Sequence, residues 1–173
     1  MTVEDSTLPA VLVEAHMAGF FHEHGGHDFD PYDTFMWSGE MLEWWQNWTN
    51  APMVGAPPFR AFGQDGTGGL AAFWLRDPGD PLDRQSVVFL GSEGEYTVIA
   101  RDLGDYLWLL ANGVGPLETV DGIERVPEPI AALTTIAQRH TGSARRSTAE
   151  VIAAAQAQFP AFEALLNAHA PAE

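Results

Sequence analysis

Residues 59–75, FRAFGQDGTGGLAAFWL, restrict the fold more than any other stretch of the chain. Asp65-Gly66 separates two apolar runs. That pair in that setting is a strong hairpin signal, because glycine takes positive φ without a Cβ clash and aspartate tolerates it. The spacing predicts strands over 59–63 and 70–75, joined by a turn over 64–69. A phosphate loop is excluded, since it needs Gly-x-x-x-x-Gly-Lys-Ser/Thr and the chain has no lysine. Nor do the glycines at 63, 66, 68 and 69 form Gly-x-Gly-x-x-Gly ahead of a helix; a strand-like run follows them.

The pattern continues downstream. SVVFL (86–90) is an almost unbroken apolar run that suits a strand buried on both faces. Gly91-Ser-Glu-Gly-Glu95 turns the chain into YTVIA (96–100). Four strands joined by short turns describe an antiparallel meander. Around it the sequence predicts helices. The first, over 8–22, has Pro9 in its opening turn and Gly25-Gly26 at its end. A short one over 39–48 takes Ser38 as N-cap. Asp102 caps a third, with Leu103, Tyr106, Leu107 and Leu110 on one face and Asn112-Gly113 at its end. Others follow over 128–139, over 147–158 behind a Ser-Thr-Ala-Glu capping box, and from Pro160 onward. HDFDPYDTFMWS (27–38) reads as an extended loop.

The expected class is therefore α+β: an antiparallel sheet of four or slightly more strands packed against helices, with an α-helical C-terminal tail. A chain of 173 residues with 46% hydrophobic content can bury one substantial core. We expect a single domain over 1–173, with a core at about 25–116 and a helical extension at about 128–170.

The net charge is −16, from 24 acidic residues against eight arginines. Nine of the acids precede Arg60, the first cationic side chain other than histidine. Such a field repels nucleic acid and anionic membrane and steers cationic partners inward. The absence of cysteine excludes disulfides, thiolate metal sites and a cysteine nucleophile. The N-terminal residues do not resemble a secretory signal, and no segment reaches the ~20 apolar residues that span a bilayer, so a cytoplasmic location is expected.

Three segments invite chemistry. His22-Glu-His24-Gly-Gly-His27-Asp-Phe-Asp30 carries metal-ligating residue types, yet the zincin spacing fails because position 26 is glycine. Gly91-Ser-Glu-Gly-Glu95 is one residue short of a nucleophile elbow and precedes a strand. Glu93 and Glu95 form an acid/base pair only if their separation suits it, and turn carboxylates generally face solvent. We expect no metal, no cofactor and no small-molecule substrate. Aromatic density is the stronger signal: eleven of nineteen aromatics fall between Phe20 and Phe62. Adjacent Trp44 and Trp45 cannot both face one side of a helix, so one of them is free to meet a surface or a neighbouring element.

The order of features is similar to the SUKH superfamily, the cell-wall-assembly-regulator-like proteins that include many bacterial immunity proteins. A Trp-containing helical region is followed by FRAFGQDGTGGLAAFW and then SVVFLGSEGEYTVIARDLGDYLWLLANG. Gly63, Asp65, Gly66 and Gly68 resemble the family's turn between its first two strands, and Val98 to Leu107 resembles its last strand leading into a helix. The resemblance implies an α+β fold and no catalytic residues. The expected function is non-enzymatic: an immunity protein that binds a basic toxin domain, often a nuclease. Its expected contacts are Asp28, Asp30, Asp33, Glu40 and Glu43, with Trp37 and Trp44 as anchors among them. A regulatory or scaffolding protein of the same fold, and a carbohydrate-binding or carbohydrate-active protein, are the alternatives.

Overall fold

The computed structural model describes residues 4–18, 28–53 and 55–169. Five antiparallel strands cross one sheet in chain order: β1 (Asp30–Pro31), β2 (Phe59–Gln64), β3 (Leu70–Trp74), β4 (Ser86–Leu90) and β5 (Tyr96–Ala100). Around them lie α1 (Ala10–Met17), α2 (Ser38–Thr49), α3 (Leu103–Ala111), α4 (Glu118–Asp121), α5 (Ala131–Thr141), α6 (Thr148–Gln156) and α7 (Phe159–Ala168). The architecture is α+β, as the strand and turn pattern predicts.

Every residue of β3 and β4 is buried. Alternation along the strands sorts them into two cores. On one face Phe62, Ala71, Phe73, Val87, Phe89 and Ile99 meet Leu12 of α1, the apolar stripe of α3, and Leu133 and Ile136 of α5. On the other, Phe59, Leu70, Ala72, Trp74, Val88, Leu90 and Val98 meet Met41 and Trp45 of α2 and Phe162 and Leu166 of α7. Helices therefore cover both faces of the sheet. That explains why β3 and β4 read as continuous apolar runs rather than as alternating ones.

Two bulges adjust the alternation. Phe62 is the extra residue of β2, between the pairs Ala61↔Ala72 and Gly63↔Ala71. Ile99 is the extra residue of β5, between Val98↔Val88 and Ala100↔Val87. A bulge bends its strand and re-aims a side chain, and both extra residues point into the first core. Beside the first bulge a Cβ on Gly63 would lie 2.2 Å from the Phe29 ring, so only glycine admits that ring.

Local capping follows the sequence at two helices. Asp102 accepts the Asp105 N–H at 2.8 Å, and Ser147 and Glu150 form the reciprocal box ahead of α6. At α2 the prediction shifts by one. Trp37 is the N-cap residue, without a side-chain bond, and the Ser38 N–H donates to Glu4 at 3.3 Å; the N-terminal segment supplies the acceptor in trans. α5 starts at Ala131 rather than 128, because Pro129 disfavours helix at the residue before it and the Ile130 N–H is drawn to the Ala111 carbonyl at 2.9 Å. Within the stretch expected as loop, Asp30–Pro31 forms a short edge strand against Gln64 and Gly63. Proline is tolerated there, at the sheet edge.

α1 buries His16 against Phe29 and Phe62, with ring centroids 6.0 and 5.9 Å away. Burial lowers its pKa to about 4. A folded value below that of the unfolded chain means the neutral form is favoured on folding, so this stability is complete above the ordinary histidine range and is lost as pH falls through it. Between pH 7 and pH 5 urea unfolding should lose about 2 kcal/mol from this residue. A His16→Leu variant should show a flatter pH dependence over the same interval; an unchanged slope would reject His16 as its source.

Candidate functional site

The hairpin turns are settled by their own hydrogen bonds. Asp65 is buried, and its Oδ1 accepts the Thr67 N–H at 2.8 Å, the Thr67 hydroxyl at 2.7 Å and the Gly69 N–H at 2.9 Å. Gly68 has φ 93°, where an L side chain is strained. The second turn closes through Gly91 N–H to Glu95 O at 2.7 Å. Thr67 and Ser92 join the two turns through a 2.9 Å hydroxyl contact. Both glycine-rich segments thus serve chain reversal.

α2 lies against these turns. The Trp44 indole N–H donates to the Gly68 carbonyl at 3.3 Å and the Trp48 indole N–H to the Gly91 carbonyl at 2.6 Å. The two rings stack with centroids 5.6 Å apart. Trp45 points the other way, into the second core, where it is 1% exposed. The divergence of the adjacent tryptophans is as helical geometry requires: one packs inside, the other ties the helix to a turn.

Between α2 and the 30–36 segment lies an open groove of about 870 Å3. One wall is the α2 face bearing Glu40, Glu43, Trp44 and Asn47, at i, i+3, i+4 and i+7. The other carries Asp30, Pro31, Tyr32, Asp33 and Thr34, with Phe35 and Met36 completing the lining. The second wall is held to the sheet by Tyr32 N–H to Phe62 O and Met36 N–H to Ala61 O, both 2.9 Å. Its Tyr32 hydroxyl donates to Gln64 Oε1 at 2.9 Å. Burial pushes the Tyr32 phenol up to about 12, and the charges of Asp30 and Glu40 add to the shift; it remains a protonated donor.

Five of the seven predicted contact residues, Asp30, Asp33, Glu40, Glu43 and Trp44, therefore line one groove. All four carboxylates are on exposed residues, and none has an ion-pair partner among the described residues. Asp28 is in the adjoining depression, where its carboxylate accepts the Gly66 N–H at 2.9 Å. Trp37 is 64% exposed at the start of α2, outside the groove lining, with its ring against Gly39. Sequence reasoning missed Tyr32, Phe35, Met36 and Asn47. The helical spacing from Glu40 to Asn47 held the signal for Asn47; the others depend on how the 30–36 segment crosses β2.

Arginines lie elsewhere. Arg60 donates to the Asp5 carbonyl and places its guanidinium 4.0 Å from the Phe35 ring centroid. Arg101 and Arg146 converge on buried Asp105, at 2.8 and 2.6 Å. Burial and the nearby Asp102 charge push the Asp105 carboxyl up, while the two guanidiniums pull it down. Arg139 pairs with Glu14 and Arg125 with Glu118.

Among the described residues no three His, Asp or Glu side chains are grouped to hold a metal ion; His22, His24 and His27 lie outside the described residues. No helix among them is long and apolar enough to cross a membrane. Glu95 turns its carboxylate back onto the Glu93 N–H, at 3.2 Å. No family model, curated protein or solved structure matches the chain.

Proposed function

We propose that the protein is a non-enzymatic, SUKH-like binding module that acts in the cytoplasm as an immunity protein, occluding a basic toxin domain, with a nuclease as the leading class of partner. The observation that carries this reading is the groove. Carboxylates with no ion-pair partner among the described residues stand on both of its walls, beside aromatic side chains, while Arg101, Arg139 and Arg146 pair with acids elsewhere. A nuclease must be basic to hold phosphates, and a surface of opposite sign both steers its approach and covers it. The turn-linked sheet and the β5-to-α3 passage through Asp102 are consistent with the family resemblance. A fold alone does not assign a function, so the reading stands or falls on the groove.

The test is surface plasmon resonance against a basic nuclease toxin domain, together with rescue of cells expressing that domain. Glu40→Gln combined with Glu43→Gln should slow association about tenfold at low salt, with the deficit shrinking as salt screens the field. Association indifferent to both carboxylates and to salt would discard the groove as the docking surface.

A further inference from the structure

We infer that the groove between α2 and the 30–36 segment is shaped for a partner segment presenting two arginines, rather than for cations in general. The inference rests on the reading of the groove as a protein-docking surface and specifies what enters it.

The charge requirement comes first. Four carboxylates from two walls enclose a groove in which no cation among the described residues pairs with them. An occupant with one positive charge would leave most of them uncompensated and closer to dehydration; two cations, one toward each half of the groove, serve both walls. Spacing is compatible with this. The α2 wall from Glu40 to Asn47 rises about 10 Å, and side chains at i and i+2 of an extended segment stand about 7 Å apart on one face.

The choice of guanidinium over ammonium follows from the lining. Tyr32 and Trp44 contribute ring surface, and Asn47 adds a neutral amide. A guanidinium is planar and weakly hydrated, stacks on rings and forks onto carboxylates; an ammonium is a compact, strongly hydrated point charge that gains less from such walls. The Phe35 ring is not offered to an occupant: it is buried in the first core and covered by Arg60, which lies outside the groove lining.

The experiment is calorimetric titration of the full chain with three blocked pentapeptides, Gly-Arg-Gly-Arg-Gly, Gly-Lys-Gly-Lys-Gly and the citrulline analogue of the first, at low ionic strength. The arginine peptide should bind at least about tenfold more tightly than the lysine peptide, and the neutral citrulline peptide should not bind measurably. Glu40→Gln with Glu43→Gln should weaken the arginine peptide about tenfold, and Arg76→Gln, remote from the groove, should leave it unchanged. Circular dichroism melts of each variant verify folding. Equal affinity for arginine and lysine, no binding of either, or indifference to the two glutamates would each overturn the inference. These results separate from the toxin experiment. Toxin binding that depends on the groove without arginine selectivity leaves the docking reading intact and removes only the arginine claim. Arginine selectivity alongside groove-independent toxin binding does the reverse.

Discussion

Phe162→Ala is expected to lower the free energy of unfolding by about 3–5 kcal/mol, the range for removing a large aromatic from a closed core. Phe162 is fully buried in α7, and its ring packs against Trp74 at 5.0 Å, Phe59 at 6.1 Å and Tyr96 at 6.1 Å. Those three belong to β3, β2 and β5, so one side chain near the end of the chain touches nearly the full width of the sheet. Urea unfolding followed by tryptophan fluorescence reads the loss directly. A midpoint unchanged by the substitution would mean that α7 is an appendage and that the second core closes without it. Phe162→Leu, which retains most of the volume, should recover much of the deficit.

Asp105→Ala is the second large effect, about 3 kcal/mol or more. Removing the acidic partner from a buried ionic cluster strands the opposite charge. The side chain of Asp105 is 3% exposed, between Arg101 and Arg146. Arg101 is half-exposed and can turn to water, which holds the penalty toward the lower end; Arg146, 24% exposed, has less freedom. More than one pair is at stake. The Arg146 carbonyl accepts the Asn112 amide at 2.8 Å, and Arg145 Nε donates to Asn112 Oδ1 at 2.8 Å. The link between α5 and α6 is therefore fastened to both ends of α3. Asp105→Asn, which keeps the shape and removes the charge, should fall between the wild type and the alanine variant in urea unfolding. Equal stability of all three proteins would show that the cluster contributes nothing net.

The sheet was legible because its signals are local. Asp65-Gly66 between apolar runs, the unbroken SVVFL, and the Asp102 and Ser147 caps each act within a few residues. The features that were not legible depend on distant partners. β1 exists because Gly63 and Gln64 offer an edge to Asp30–Pro31, and nothing in Asp-Pro itself favours a strand. The N-cap of α2 moved by one because Glu4, 34 residues away, supplies an acceptor. For the site, the acidic residues stood out by composition, and the structure gathers Asp30, Asp33, Glu40, Glu43 and Trp44 in one place. Asp28 and Trp37 share that composition but not that location, since proximity in sequence does not fix which wall a side chain joins. The aromatic part of the groove was hidden for the same reason: Tyr32 lines it only because its backbone is bonded to β2.

The two indole donors of α2 end on main-chain oxygens of Gly68 and Gly91, and a carbonyl is present whatever side chain its neighbours carry. One wall of the groove is consequently anchored to parts of the hairpins that substitution at Thr67, Ser92 or Glu93 does not delete. The outward chemistry of those tips is free to drift while Glu40, Glu43 and Trp44 keep their stations, because the frame that holds them is bonded to main chain alone.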